Sequence, residues 1–487
     1  GAGISEYEDV DAPAYDYNNS ARPGSDGGNP DLGAFEHDLA VTPYPAKPQG
    51  LAVSSTNDST VTLSWTAGTE DDLVRYRVYY GTSSPAATLI DSASASATSI
   101  SIDGLTNGTT YYFRITALDG DDYESVYSAE VSGVPEYKGP VWYVDDNSGS
   151  GSHEGSTGDP FREIQDAIDV ASSGDTVRVL PGTYDRPDDQ ELSFHDPENN
   201  TVKNIVLMSR DGAATTFLDG ENKRVFELVD DTDTTLHIIG FTITASNGGE
   251  DDNGGAIVKM NGQSYWDGNT QQQVYVTPGV TFKNCVFTMF DSGDLESTSD
   301  WKDVAINLNA GVAVFNNCEF TNITVDYSNY GNWECSGGAI RVGNPYMLDD
   351  GTVTHLNRCE ITNVTITSNS PAYLNAAAIA VGANSANDLT LTNTIVANNL
   401  VFYNNSDTSY PPSGGALKIR GGHVQITNST IVNNELKSIT SFTNEGSAIS
   451  AEDYGGDSPH ITMFNSIVHG NTTTTSGGSY QLNQIQL

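Results

Sequence analysis

Residues 414–432 read GGALKIRGGHVQITNSTIV, and most of the chain beyond residue 175 repeats the two phrases in this stretch. The first phrase, Gly-Gly-Ala leading into an alternating strand, returns as GGAIVK (254–259), GGAIRV (337–342), AAAIAV (376–381) and GSAISA (446–451). VAINLN (304–309) fills the remaining slot. The second phrase, Asn then a small residue and an aliphatic or aromatic one, returns as NCVF (284–287), NCEF (317–320), NTIV (393–396) and NSIV (465–468). RCEI (358–361) is the same phrase with Arg358 in the Asn position. Successive Asn phrases start between 33 and 41 residues apart. Constant motifs joined by segments of varying length describe a solenoid with fixed strands and free loops.

A parallel strand pairs with its equivalent one coil away, about 4.8 Å along the axis, so like residues stack into ladders. Ile340, Ile379 and Leu417 should point inward and bury each other. Cys285, Cys318 and Cys359 share one register and read as a ladder of buried thiols, in which a disulfide could join only one pair. The Asn side chains should satisfy the backbone of the turns.

The repeats begin after WYVDDNSGSGSHEGSTGDPFREIQDAIDVASSGDTVRVLPGTYD (142–185). Phe161, Ile164, Ala167, Ile168 and Ala171 lie at helical spacing on one side. Asp159 is placed to cap, Pro160 to open and Gly174 to end a helix over about 160–172. With the strand TVRVL behind it, this segment resembles the opening of a right-handed parallel β-helix of the pectate-lyase-like superfamily, in which a short amphipathic helix covers the first coil. Residues 139–487 are therefore expected to form such a β-helix. The string NNSARPGSDGGNPDLGAFEHD (18–38) resembles the segment that closes repeat-rich β-helix surface proteins of the same superfamily. Here it stands at the start, and the last residues stop in mid-coil. Two explanations fit: the chain is a window of a longer array, or residues 1–40 dock, through Asp31, Leu32 and Phe35, on the open end of another copy, head to tail; end-to-end stacking into a filament or extended array is the expectation.

Two proline-rich seams, VTPYPAKPQG (41–50) and VPEYKGP (134–140), bound a stretch of short alternating strands. Val61, Leu63 and Trp65 share one face. Tyr76, Val78 and Tyr80 share another, as do Tyr111, Phe113, Ile115 and Ala117. This is a β-sandwich pattern over 41–136, and GLTNGTTYYFRITALD resembles a fibronectin type III domain. The resemblance makes Tyr111 the corner tyrosine, with Asn107 where that family usually has proline. It implies a spacer or binding module.

Asp and Glu outnumber Lys and Arg 64 to 21, a formal charge of −43. Phosphate-bearing partners are repelled by such a surface, which excludes nucleic acid. No apolar run is long enough to span a bilayer. The cysteines form no CxxC pair, so no zinc knuckle is expected. No cofactor is required, but calcium could sit in VDDTD (229–233) through Asp230, Asp231 and Asp233, or in GGEDDNGG (248–255) through Glu250, Asp251 and Asp252.

Catalytic equipment is sparse. The clustered aspartate strings of polygalacturonase-like enzymes are missing, with NTI and GGH in their place. Arg341 and Lys418 point outward in equivalent registers with Ala380 between them, and read as solvated strand charges. His423, His460 and His469 lie in the repeats away from any evident carboxylate and nucleophile set. No catalytic residue is assigned. The loops between an Asn phrase and the next Gly-Gly-Ala phrase carry Trp301, Tyr327, Tyr330, Trp333, Tyr373, Tyr403 and Tyr410. All share one phase of the repeat, where the rings either pack over the solenoid edge to shield it or, exposed, stack on sugars.

The expected protein is all-β: a closing segment, a fibronectin type III-like β-sandwich and a parallel β-helix solenoid. Its expected role is extracellular or cell-surface, structural and adhesive, in a prokaryotic setting. Its expected partners are copies of itself or further domains of a longer chain, and polysaccharide. The competing expectation is a lyase or hydrolase acting on acidic polysaccharide.

Overall fold

The computed structural model describes residues 6–7, 10–11, 44–149, 153–185, 191–196, 201–221, 224–228, 234–245, 257–261, 263–267, 272–276, 278–288, 305–326, 335–336, 338–343, 351–368, 374–375, 378–404, 414–439, 448–451, 458–475, 478–480 and 485–486. The chain divides into two compact units, Gly1–Lys138 and Gly139–Leu487.

In the first unit, strands Gln49–Asn57, Thr60–Thr66 and Ser99–Ile102 form one antiparallel sheet. Thr88–Ser94, Leu73–Gly81, Tyr111–Asp119 and Val131–Gly133 form the other. Alternation buries Val61, Leu63, Trp65, Tyr76, Val78, Phe113 and Ile115 between them. The Trp65 and Tyr76 rings meet edge to face at 5.2 Å. Tyr111 closes the corner: its hydroxyl accepts the Thr106 N–H at 3.1 Å. Asn107, where proline is usual, ties the neighbouring turn by accepting the Ser59 N–H at 2.7 Å and donating to Asp58 at 2.9 Å.

The second unit is a parallel β-helix. Its strands stack into a ten-strand, a thirteen-strand and an eight-strand sheet. The helix at its start is shorter than the spacing suggested, Ile164–Val170, and Glu163 rather than Asp159 stands at its N-cap. Backbone pairing explains the difference. Phe161 donates to Tyr143 O and accepts from Asp145 N, a parallel bridge that holds the preceding residues extended. Ile164, Ala167 and Ile168 supply the buried side.

Each coil runs from the ten-strand sheet through a tight turn into the thirteen-strand sheet. Strand register places Phe282 on Phe315 and Ile340 on Ile379, Leu417 and Ile449. The Phe287 and Phe320 rings stack at 4.8 Å with 5° between their planes. That spacing is the distance between neighbouring strands of a sheet. Cys285, Cys318 and Cys359 are buried free thiols at one level of the turn, and burial pushes the Cys318 thiol up.

The Asn phrase marks a backbone requirement. Asn284, Asn317, Arg358, Asn393, Asn428 and Asn465 all adopt φ between 47 and 56°. Among residues with a side chain, Asn tolerates this left-handed region best. A second left-handed corner follows five residues later, at Asn322, Asn363, Asn398, Asn433 and Gly470. The first-corner amides bond mainly to one another, Asn317 to Asn284 at 3.0 Å and Asn465 to Asn428 at 2.7 Å. The backbone is satisfied elsewhere, by a buried ladder of Asn399, Asn434 and Asn471. Asn399 and Asn434 each donate Nδ2 to the next Oδ1 at 2.8 Å, Asn471 donates to Ile431 O, and Asn434 Oδ1 also accepts the Asn399 N–H.

Candidate functional site

Two outward-facing columns carry chemistry. On the eight-strand sheet the register aligns Glu227, Lys259, Asn307, Arg341, Ala380, Lys418 and Ser450. Strand parity places these side chains away from the coil interior, yet Lys259, Arg341 and Lys418 are at most 5% exposed. Arg341 and Lys418 are therefore not solvated strand charges. Buried cations of this kind must be paired. Lys259 Nζ lies 2.9 Å from Glu227, whose other oxygen is 2.8 Å from Arg224. Burial works to raise Glu227, but these two cations outweigh it and hold the carboxyl below its ordinary range. Arg341 Nε donates to Asn307 Oδ1 at 3.1 Å, and Lys418 Nζ to Ser450 at 3.4 Å. The column is thus a buried, internally paired structural row on the outer side of its sheet.

The outer face of the ten-strand sheet differs. One column aligns Val353, Asp388, His423 and His460, and the column beside it His355, Thr390, Gln425 and Thr462. All of these except Val353 line a shallow groove of about 400 Å³. His423 Nδ1 stands 3.3 Å from Asp388 Oδ1, with the His423 side chain 64% and the Asp388 side chain 49% exposed. The His423 and His460 rings lie edge to face with centroids 5.9 Å apart. His423 therefore does have a carboxylate beside it, contrary to its reading in isolation. Asp388 and His355 escaped notice although the signal was present. Asp388, His423 and His460 each stand five residues before the Asn of a phrase, whereas Thr390, Gln425 and Thr462 stand three before it.

Of the ring residues expected to meet sugars, Tyr403 is fully buried. Its strand Leu400–Tyr403 alternates so that Val401 and Tyr403 face the core. Phe402 faces out under Lys437, whose amine lies 5.4 Å from the ring centre. Trp301, Tyr327, Tyr330, Trp333, Tyr373 and Tyr410 lie outside the described residues, as do Asp31, Leu32 and Phe35. The calcium candidates Asp230, Asp231, Asp233, Glu250, Asp251 and Asp252 also lie outside them. Among the described residues no group of three or more His, Cys, Asp or Glu side chains is arranged to hold a metal. No described helix is long and apolar enough to cross a membrane.

Comparison with known proteins agrees with this architecture. Residues 46–134 match the fibronectin type III domain, and residues 147–203 match a parallel β-helix family described as a protein of unknown function, DUF1565. Chitinase D of Niallia circulans is 29% identical over 196 residues, which is 38% of this chain. The chain spans about a third of that chitinase, 34%. Among solved structures, a fibronectin type III-like protein from Clostridium thermocellum is 30% identical over 18% of this chain and 90% of its own, with a TM-score of 0.16. The Clostridium perfringens spore cortex lytic enzyme SleM is 25% identical over 18% of this chain and 28% of its own, also with a TM-score of 0.16. The chain is thus a fibronectin type III domain followed by a parallel β-helix.

Proposed function

We propose that the chain is an extracellular surface protein that contacts glycan through the groove on its ten-strand sheet. The observation that carries this reading is the groove itself. Hydroxyl, amide, imidazole and carboxylate groups recur in register on successive coils. Such a row offers both donors and acceptors to sugar hydroxyls. The partial likeness to a chitinase supports a carbohydrate-related setting, and the strongly acidic chain favours a neutral glycan over an acidic one. The fibronectin type III domain serves as a spacer. Its further partners are copies of the protein or further domains of a longer chain.

A second reading, a polysaccharide-cleaving enzyme, is favoured by the imidazole–carboxylate contact of His423 and Asp388. Pull-down on insoluble polysaccharides, with reducing-end release measured in parallel, separates the two. Binding without release, weakened about tenfold or more in a Thr390→Ala/Gln425→Ala/Thr462→Ala variant, supports the contact role. Equal binding by wild type and variant would refute it. Sugar release that is lost in His423→Ala would establish the enzyme.

A further inference from the structure

We propose that His423 and His460 together bind one divalent transition-metal ion of the zinc or copper class, with Asp388 as the positioning residue for His423. Parallel register stacks the two histidines on consecutive coils of one sheet, both facing solvent. An imidazole nitrogen holds zinc at about 2.0–2.1 Å, which sets the ion about 3.2 Å from the ring centre. Two rings on one ion therefore have centres at most about 6.4 Å apart, and closer when the bond angle is tetrahedral. The observed separation of 5.9 Å is within that reach, and the exposed, edge-to-face rings would have to rotate about their side-chain bonds to aim one nitrogen each at the ion.

The coil before supplies the orienting group. Asp388 Oδ1, 3.3 Å from His423 Nδ1, favours the proton on that nitrogen and leaves Nε2 as the free ligand. Metal-binding histidines usually donate the other ring N–H to a carboxylate, and Asp388 stands at ion-pair distance from that nitrogen. Two protein ligands are fewer than a closed structural zinc site provides, so water completes the shell. The set suits imidazole-seeking ions and not calcium or magnesium, which take oxygen ligands.

The test uses the full chain, freed of metal by a chelator. It is titrated with Cu2+ or Zn2+ by calorimetry in excess Mg2+, which occupies the many surface carboxylates. The expected result is one ion per chain with a dissociation constant on the order of micromolar. The Cu2+ complex should show nitrogen hyperfine structure from two imidazoles in its electron paramagnetic resonance spectrum. His423→Ala and His460→Ala should each abolish that signal. Asp388→Asn should weaken binding by about 10- to 100-fold, while His355→Ala and His469→Ala leave it unchanged. Binding that survives both histidine variants, or an absence of binding at millimolar metal, overturns the site. Full affinity in Asp388→Asn overturns the positioning role. Thermal melts of each variant establish that it is folded. Thr390→Ala/Gln425→Ala/Thr462→Ala should retain the metal while losing glycan, so failure of either reading is seen apart from the other.

Discussion

The outward columns of the eight-strand and ten-strand sheets are equivalent by strand parity and opposite in physical state. Arg341 and Lys418 are buried and partnered, whereas His423 and His460 are in water. In a β-helix, parity decides whether a side chain enters the coil. It does not decide whether the outside is wet, as the burial of Arg341 and Lys418 against the exposure of His423 and His460 shows. Burial on the outer side of one sheet gives charge a structural task there, while the polar groups of the other sheet stay exposed.

The contrast can be broken by mutation. Arg341→Ala should cost about 2–4 kcal/mol in chemical denaturation of the β-helix, because the buried Asn307 Oδ1 loses its donor and the deleted side chain leaves a cavity. A cost under about 1 kcal/mol would mean that the column is solvated and the contrast unfounded. Asn434→Ala should cost about 2–3 kcal/mol, since its amide serves both neighbouring coils. Arg358→Asn should stabilise by about 0.5–1 kcal/mol, because it relieves a left-handed arginine and restores the amide row.

In the sandwich, Glu124 accepts from Thr116 at 2.5 Å, Tyr79 at 2.6 Å and Arg77 at 2.7 Å. Burial works to raise its pKa, but these three partners outweigh it and hold the carboxyl below its ordinary value of 4.5. Its contribution is therefore complete above that pH and lost as the pH falls through the lower folded value. Hydrogen exchange of the sandwich at falling pH should show this as a loss of about 0.5 kcal/mol, absent in Glu124→Gln. Thr390→Ala, on the open column, should change stability by less than about 0.5 kcal/mol.

The ladders were legible because backbone geometry forces them. A left-handed corner selects Asn, and stacked interiors select Phe or Ile at fixed offsets. NCVF and GGAIRV therefore reported the fold directly. The groove was harder to see because no packing rule restricts its residues. His423 looked isolated until Asp388 was brought beside it from the preceding coil. Arg341 misled for the complementary reason, since alternation gives direction and says nothing about cover. Tyr403 belongs to the same class of error: loop phase suggested display, but the strand continues through it and turns its ring inward.

The two left-handed corners stand five residues apart in every coil from Asn317 onward. That spacing works as a gauge. Whatever length a coil gains or loses must enter through its other connections, because one residue more between the corners would invert the strand behind them. The protein can thus diversify its rim without retooling its barrel. A peptide spliced into one of the variable connections should leave the coil register intact, whereas the same peptide between Asn428 and Asn433 should unseat every rung that follows.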